Sequence, residues 1–166
     1  MLGLISYDKD FFAWTQEQSR ILTQAGNNQQ EAKGIDYLNV AREIEGLGRK
    51  RKRAVQWAIV RITENLLKLQ FSSCIITRDA WEEVVVANRF LVNDDFSASP
   101  SLRHEVDIVR AYRDARRMAM VNLETTDSNG PRLQLPSENL FTIEQILDVN
   151  WWPVNTHRLN VTLVRL

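Results

Sequence analysis

The sequence is poor in cysteine, because Cys74 is the only one among 166 residues. A single cysteine excludes an internal disulfide framework and a multi-cysteine zinc site as sources of stability. Its neighbours in the stretch FSSCII are small or apolar and none is basic, so no adjacent cation lowers the pKa of the thiol. We therefore expect Cys74 to be buried and unreactive.

The sequence also lacks a long hydrophobic run. A helix that crosses a bilayer needs roughly 18 or more consecutive apolar residues, and no stretch of this chain approaches that length. The opening residues MLGLISYDKDFF contain no positively charged segment ahead of their short apolar run, so we expect no signal peptide. These absences predict a protein of the cytoplasm with no membrane partner.

Neither sign of charge is in excess, since 21 lysines and arginines balance 21 aspartates and glutamates. A domain that binds a polyanion usually carries a basic surplus, so the balance weighs against nucleic acid as the partner. The composition, with 44% hydrophobic and 25% charged residues, is that of an ordinary globular protein. The chain is also long enough to fold as one domain without metal or disulfides.

Recognisable motifs of catalysis and metal binding are missing. The two histidines, His104 and His157, have no further ligand at a known metal spacing, and no phosphate loop, nucleophile elbow or HExxH motif occurs. Glu43 and Glu45 would point about 200° apart on a helix, which suits neither a shared metal nor an acid–base pair. We predict no catalytic residue, no metal site and no cofactor, although an active site assembled from distant residues stays open.

Apolar residues recur at helical spacing through most of the chain. Asp8 and Asp10 precede a first amphipathic helix that ends near Gly26. The clearest pattern predicts a central helix at roughly 50–70 that is apolar on two sides. One side carries Val55, Ile59, Ile62, Leu66 and Leu69, and the other carries Trp57, Val60, Leu67 and Phe71. Such a helix has neighbours on both sides or lends one side to a partner subunit.

Three further helix starts are predicted. Asp79 with Glu82, and Thr142 with Gln145, have the spacing of capping boxes. The dipeptide SP opens a helix predicted over about 99–123, because serine caps a helix and proline suits its first position.

The C-terminal tail alternates like a strand, with Leu159, Val161 and Leu163 on one side. A lone strand leaves its backbone groups unpaired, so we expect the tail to pair with its symmetry mate or with residues 133–135. The predicted organisation is a helical domain over 1–153 and a C-terminal extension over 154–166. The predicted fold is all-α, a single-domain bundle of about five to six helices, with a possible short β-strand in the tail.

The most conspicuous motif is a basic run of five residues: Arg49, Lys50, Arg51, Lys52 and Arg53. On a helix five consecutive residues sweep about 400°, so they cannot form one cationic face. Either a continuous helix from Asp36 bends near Gly48 and pairs Glu45 with Arg49, or the helix breaks at Gly48. In both cases we interpret the run as an exposed helix end, with nucleic-acid contact as the alternative.

Several segments together resemble one bacterial family. They are YDKDFFAWTQEQSRIL (7–22), IDYLNVAREIEGLGRKRKRAV (35–55), LLKLQF (66–71), Trp81, SPSLR (99–103), AYRDARRMA (111–119) and FTIEQILDVNWWP (141–153). The family is the domain of unknown function numbered 29, and the resemblance covers residues 7 to 153. It implies an all-α fold and a small soluble bacterial protein. It implies no activity and no catalytic residues, because the family is defined without them.

The leading functional interpretation is a non-enzymatic interaction module that binds a protein partner or forms a homodimer. The candidate interface residues are Trp57, Val60 and Leu67 of the central helix and Leu159, Val161 and Leu163 of the tail. The alternative is a nucleic-acid-binding or antitoxin-like regulator that uses the basic run 49–53. An enzyme with an unrecognised site is the third possibility.

Overall fold

A computed structural model of the chain describes residues 5–28, 34–127 and 134–159. They contain six helices: α1 (Phe11–Asn27), α2 (Tyr37–Phe71), α3 (Arg78–Ala98), a 3-10 helix (Pro100–Glu105), α4 (Ile108–Thr126) and α5 (Ile143–Leu147). The predicted all-α fold is confirmed. No strand occurs within these three ranges, and Val161 and Leu163 of the expected strand lie outside them.

The described residues divide into two compact units. Those up to Val55, together with Asp94–Val106, form the first unit, and Gln56–Asn93, together with those from Asp107 onward, form the second. Helix α2 contributes its first half to one unit and its second half to the other, and the second half supplies most of the buried apolar side chains of α2. The prediction of a central helix buried on more than one side is confirmed there.

Helix α2 is continuous over 35 residues, roughly 50 Å. It begins after Asp36, whose Oδ1 accepts a hydrogen bond from Asn39 N (3.0 Å), and Arg49 pairs with Glu45 (2.6 Å) as the continuous helix requires. The alternative of a break at Gly48 is therefore wrong. The interpretation of the basic run as a helix end is also wrong, because the run lies in the middle of α2.

In the first unit, Gly48 lets helices α1 and α2 approach closely. A Cβ atom at Gly48 would lie 2.3 Å from Thr15 Oγ1, so no side chain fits there. Thr15 and Phe12 are the buried residues of α1. Asp10, one of the two acids expected before this helix, caps α1 by accepting from Ala13 N (2.9 Å).

Of the three predicted helix starts, the one at Asp79 is wrong, the one at Ser99–Pro100 opens only a short 3-10 helix, and the one at Thr142 is confirmed. Helix α3 begins at Arg78, so Asp79 lies inside its first turn and cannot be its cap. The helix predicted over 99–123 is two elements, because Val106 is extended (φ −80°, ψ 126°) between the 3-10 helix and α4. The capping box of Thr142 and Gln145 is present at the start of α5.

In the second unit, residues 155–157 close the last turn of α2. The final carbonyls of a helix have no partner within the helix. Here residues far along the sequence provide their hydrogen-bond partners. The contacts are Asn155 Nδ2 to Leu69 O (2.6 Å), Thr156 N to Gln70 O (2.8 Å) and His157 Nε2 to Phe71 O (3.2 Å). The end of α2 is thereby held in place.

Candidate functional site

Three of the five cations in the basic run have partners within the first unit. The ion pairs are Arg49 with Glu45 (2.6 Å), Arg51 with Asp95 (2.6 Å) and Lys52 with Glu105 (2.5 Å). The Arg51 guanidinium also lies over the Phe11 ring, 5.3 Å from its centroid. Lys50 and Arg53 are exposed. The five residues therefore do not present a single cationic surface.

The predicted interface residues of α2 have different environments. Val60 and Leu67 are buried by the chain itself, whereas Trp57 is 55% exposed. Leu159 is half-buried at the end of the described residues, and Val161 and Leu163 lie outside them. Of the candidates on α2, Trp57 alone is available to another molecule.

Trp57 begins a stripe of side chains along the second half of α2. We call Trp57, Arg61, Glu64 and Lys68 the Trp57 stripe, since their spacing of four, three and four residues places them on one side of the helix. Glu64 pairs with Arg61 (2.6 Å) and with Lys68 (2.6 Å). The stripe thus leads from an exposed indole through Arg61 to two buried charges.

Lys68 is an ammonium group within the core, 3% exposed. Burial lowers its pKa, and the hydrogen bond to Glu64 opposes that shift. The ammonium donates to Glu64 Oε1 and, at 3.3 Å, to Asn65 Oδ1, and it lies 5.7 Å from the centroid of the Trp81 ring. Because its donors are engaged in this way, Lys68 is bound as a structural cation and is not poised as a nucleophile.

Sequence reasoning missed the polar part of the Trp57 stripe. The second apolar side was assigned to Trp57, Val60 and Leu67, and the charged residues between them were not considered. The available signal was the pair Glu64 and Lys68, four residues apart within a segment otherwise rich in leucine and isoleucine.

A second buried cation, Arg89 of α3, fixes the end of α5. It is fully buried and donates to the carbonyls of Gln145 (3.1 Å), Ile146 (2.9 Å) and Trp151 (2.9 Å). Burial lowers the pKa of the Arg89 guanidinium to about 10, and the charge of Asp148 opposes the shift. Three carbonyl oxygens solvate the cation in place of water, so the role of Arg89 is structural.

Comparison with known sequences assigns the chain to a family. Residues 6–152 match the model of the family described as "Domain of unknown function DUF29". The chain belongs to this family. The resemblance noted in the sequence is thereby confirmed, and no protein of curated function matches the DUF29 chain.

The fold of the DUF29 chain is shared with a solved structure. A crystal structure of an alpha-helical protein of unknown function from Rhodospirillum rubrum is 23% identical, with a TM-score of 0.75. The similarity covers 89% of the DUF29 chain and 92% of that protein. At this level of identity the likeness establishes the fold alone.

Cys74 supplies the only thiol in the sequence. Cys74 is partly exposed, so its predicted burial is wrong, and a hydrogen bond from Thr77 Oγ1 (3.5 Å) lowers the pKa of the thiol.

Across residues 5–28, 34–127 and 134–159, no three histidine, cysteine or acidic side chains are placed to hold a metal ion. None of the helices in these ranges combines the length and hydrophobicity needed to span a bilayer.

Proposed function

We propose that this DUF29 chain is a protein-binding module without catalytic chemistry, and that Trp57 is the centre of its contact with a protein partner. The observation that carries the proposal is the exposure of Trp57 at the start of a helix half that is otherwise buried. Tryptophan is among the residues most enriched at the energetic centres of protein interfaces.

The exposed indole offers enough surface to anchor an interface. A tryptophan side chain presents on the order of 200 Å², so a partner that covers the exposed half removes about 100 Å² from water. At about 25–30 cal/mol per Å² this burial stabilises a complex by about 3 kcal/mol. That value exceeds the roughly 2 kcal/mol that marks an interface hot spot.

The rest of the stripe supports Trp57 by holding its neighbour in place. Arg61, one turn along α2, keeps a third of its side chain exposed while the Glu64 carboxylate binds its guanidinium. A side chain already ordered in the free protein loses less conformational entropy when a partner binds. Arg61 is therefore a preorganised cation one turn from the exposed Trp57.

The other two interpretations have less support. A nucleic-acid-binding or antitoxin-like role through residues 49–53 would depend mainly on Lys50 and Arg53, because the other three cations are paired within the first unit. An enzymatic role would need a free reactive group, and the ammonium of Lys68 is engaged.

Site-specific photocrosslinking tests the proposal. A photoreactive amino acid replaces Trp57 in one variant and Leu47 in a matched variant, since Leu47 lies on the same helix with 52% exposure. After illumination of cells that express the protein at its native level, we expect a discrete protein adduct from position 57 and none from position 47. Equal adducts at both positions, or none at either, would contradict the proposal. A nucleic-acid adduct at position 57 would favour the alternative.

A further inference from the structure

Helix α3 presents an outward face that contains acids and apolar side chains but no cation. Asp79, Glu83, Phe90 and Leu91 are exposed, and at 100° per residue they fall within an arc of about 120°. We call them the acidic–apolar face. The two arginines of α3, Arg78 and Arg89, point into the core instead. Within the second unit the two charges of this face, Asp79 and Glu83, are both negative, and they precede its two large apolar side chains.

Helix α4, in the same unit, presents an outward face of the opposite character. Val109, Arg110, Arg113, Arg117 and Val121 are exposed within a similar arc, and we call them the arginine–valine face. The side chains of the three arginines are 66%, 68% and 73% exposed.

One carboxylate serves all three arginines of this face. Asp114 lies 3.7 Å from Arg110, 3.7 Å from Arg113 and 3.3 Å from Arg117. Three positive charges against one negative charge leave two in excess along this stretch. Glu124 stands two turns beyond Arg117, in the last turn of α4. The face is therefore positive at its centre and apolar at both ends.

We propose that a second copy of this chain docks its acidic–apolar face of α3 on the arginine–valine face of α4. The charges of the two faces are complementary, and complementary charge steers association and selects the partner. The spacing agrees as well, because Phe90 follows Asp79 by eleven residues and Val121 follows Arg110 by eleven residues.

A second copy fits these observations better than a polyanion does. A nucleic acid would pair with the arginines but would leave Val121 in water, whereas in this register Phe90 and Leu91 of another copy lie against Val121. We place the two copies about a two-fold axis, so that each copy docks its α3 face on the other's α4 face and the assembly closes as a dimer. This dimer does not depend on Trp57, which stays free for the protein partner proposed above.

Charge reversal in the full-length protein tests the dimer. Sedimentation equilibrium is measured for wild type, for Glu83→Arg and for Arg113→Glu/Arg117→Glu, with Glu138→Arg as an exposed control outside both faces. Each reversal on a face replaces attraction by repulsion in both copies of the contact, so we expect association about 100-fold weaker than in wild type. The Glu138→Arg control and a Trp57→Ala variant are expected to associate as wild type does.

Mixing the two reversed variants gives the decisive result. In the mixed dimer the arginine introduced by Glu83→Arg in one copy meets the two glutamates introduced in the other. The second contact is native, so we expect wild-type affinity to return. A monomeric wild type up to about 1 mM, a reversal without effect, or a mixture that stays dissociated would each overturn the proposal. If circular dichroism shows a variant to be unfolded, the test uses the salt dependence of wild-type association instead. Raising salt from about 0.1 to 1 M should weaken the association of wild type at least tenfold. Association that does not change with salt would overturn the proposal.

Discussion

Replacing Asn155 by alanine should destabilise the fold, because its side chain is buried and bonds to the end of α2. The side chain is 4% exposed. Its Nδ2 donates to Leu69 O (2.6 Å) and to Ser72 O (3.0 Å), and its Oδ1 accepts from His157 N (2.7 Å). One amide thus joins the end of α2 to the last described turn of the chain.

The expected loss follows from these three bonds. Each hydrogen bond contributes about 1 kcal/mol to the free energy of unfolding, and a buried polar group left without a partner lowers that free energy by about 1–3 kcal/mol. Leu69 O keeps the bond from Arg78 Nη1 (3.1 Å), so the larger penalty falls on Ser72 O. We therefore expect the free energy of unfolding to drop by about 3 kcal/mol, which for a chain of this size lowers Tm by about 6–12 °C.

Thermal unfolding followed by circular dichroism measures this effect. Asn150→Ala is the matched control, because it makes the same substitution five residues earlier, at an exposed asparagine. Asn155→Asp is the sharper variant, since it keeps the shape but turns an acceptor toward two carbonyl oxygens, and we expect at least the same loss at pH 7. A Tm within about 1 °C of the Asn150→Ala value for both variants would refute the role assigned to residues 155–157.

Three further changes test other parts of the structure. Gly48→Ala places a Cβ atom 2.3 Å from Thr15 Oγ1, so we expect unfolding free energy to fall by about 1–3 kcal/mol in chemical denaturation and to recover partly in Gly48→Ala/Thr15→Ala. Glu64→Gln removes the counter-charge of buried Lys68 and should cost about 3–5 kcal/mol. Because burial lowers the pKa of Lys68 from 10.5, unfolding takes up a proton between the two pKa values and stability rises with pH across that window. Glu64→Gln removes the carboxylate that opposes this shift, so the rise of stability with pH should begin at a lower pH in the variant. Parallel profiles of unfolding free energy against pH for wild type and variant would contradict this. Finally, replacing all five cations of the basic run by alanine should make the log–log salt slope of duplex DNA binding, followed by fluorescence anisotropy, less steep by no more than about 1.8, the value for two phosphate contacts. A change near 4.5 would mean that all five cations of the run are engaged.

The features that sequence predicted correctly depend on contacts within four residues. Asp36 caps α2, Glu45 pairs with Arg49, and Thr142 and Gln145 bond reciprocally at α5. In each case the bonded groups are neighbours along the chain, so the residue types and their spacing contain the whole interaction.

The side-chain cap predicted at Ser99 is absent because a distant partner uses the hydroxyl. The Ser99 hydroxyl, expected to cap its own helix, instead accepts from Phe12 N (3.2 Å), a residue 87 positions away. Asp107 then caps α4 as a separate helix. A local capping signal cannot reveal that its oxygen is already used by another part of the fold.

The buried cations were beyond local reasoning for a related reason. Lysine and arginine are exposed unless specific partners solvate them, and the carbonyls that bind Arg89 lie 56 to 62 residues away. Glu64 and Lys68 have the spacing of an ordinary surface pair, and only their tertiary surroundings distinguish them from one. The same surroundings underlie the proposed contact, because Trp57 becomes a candidate only once the residues that follow it are seen to be buried.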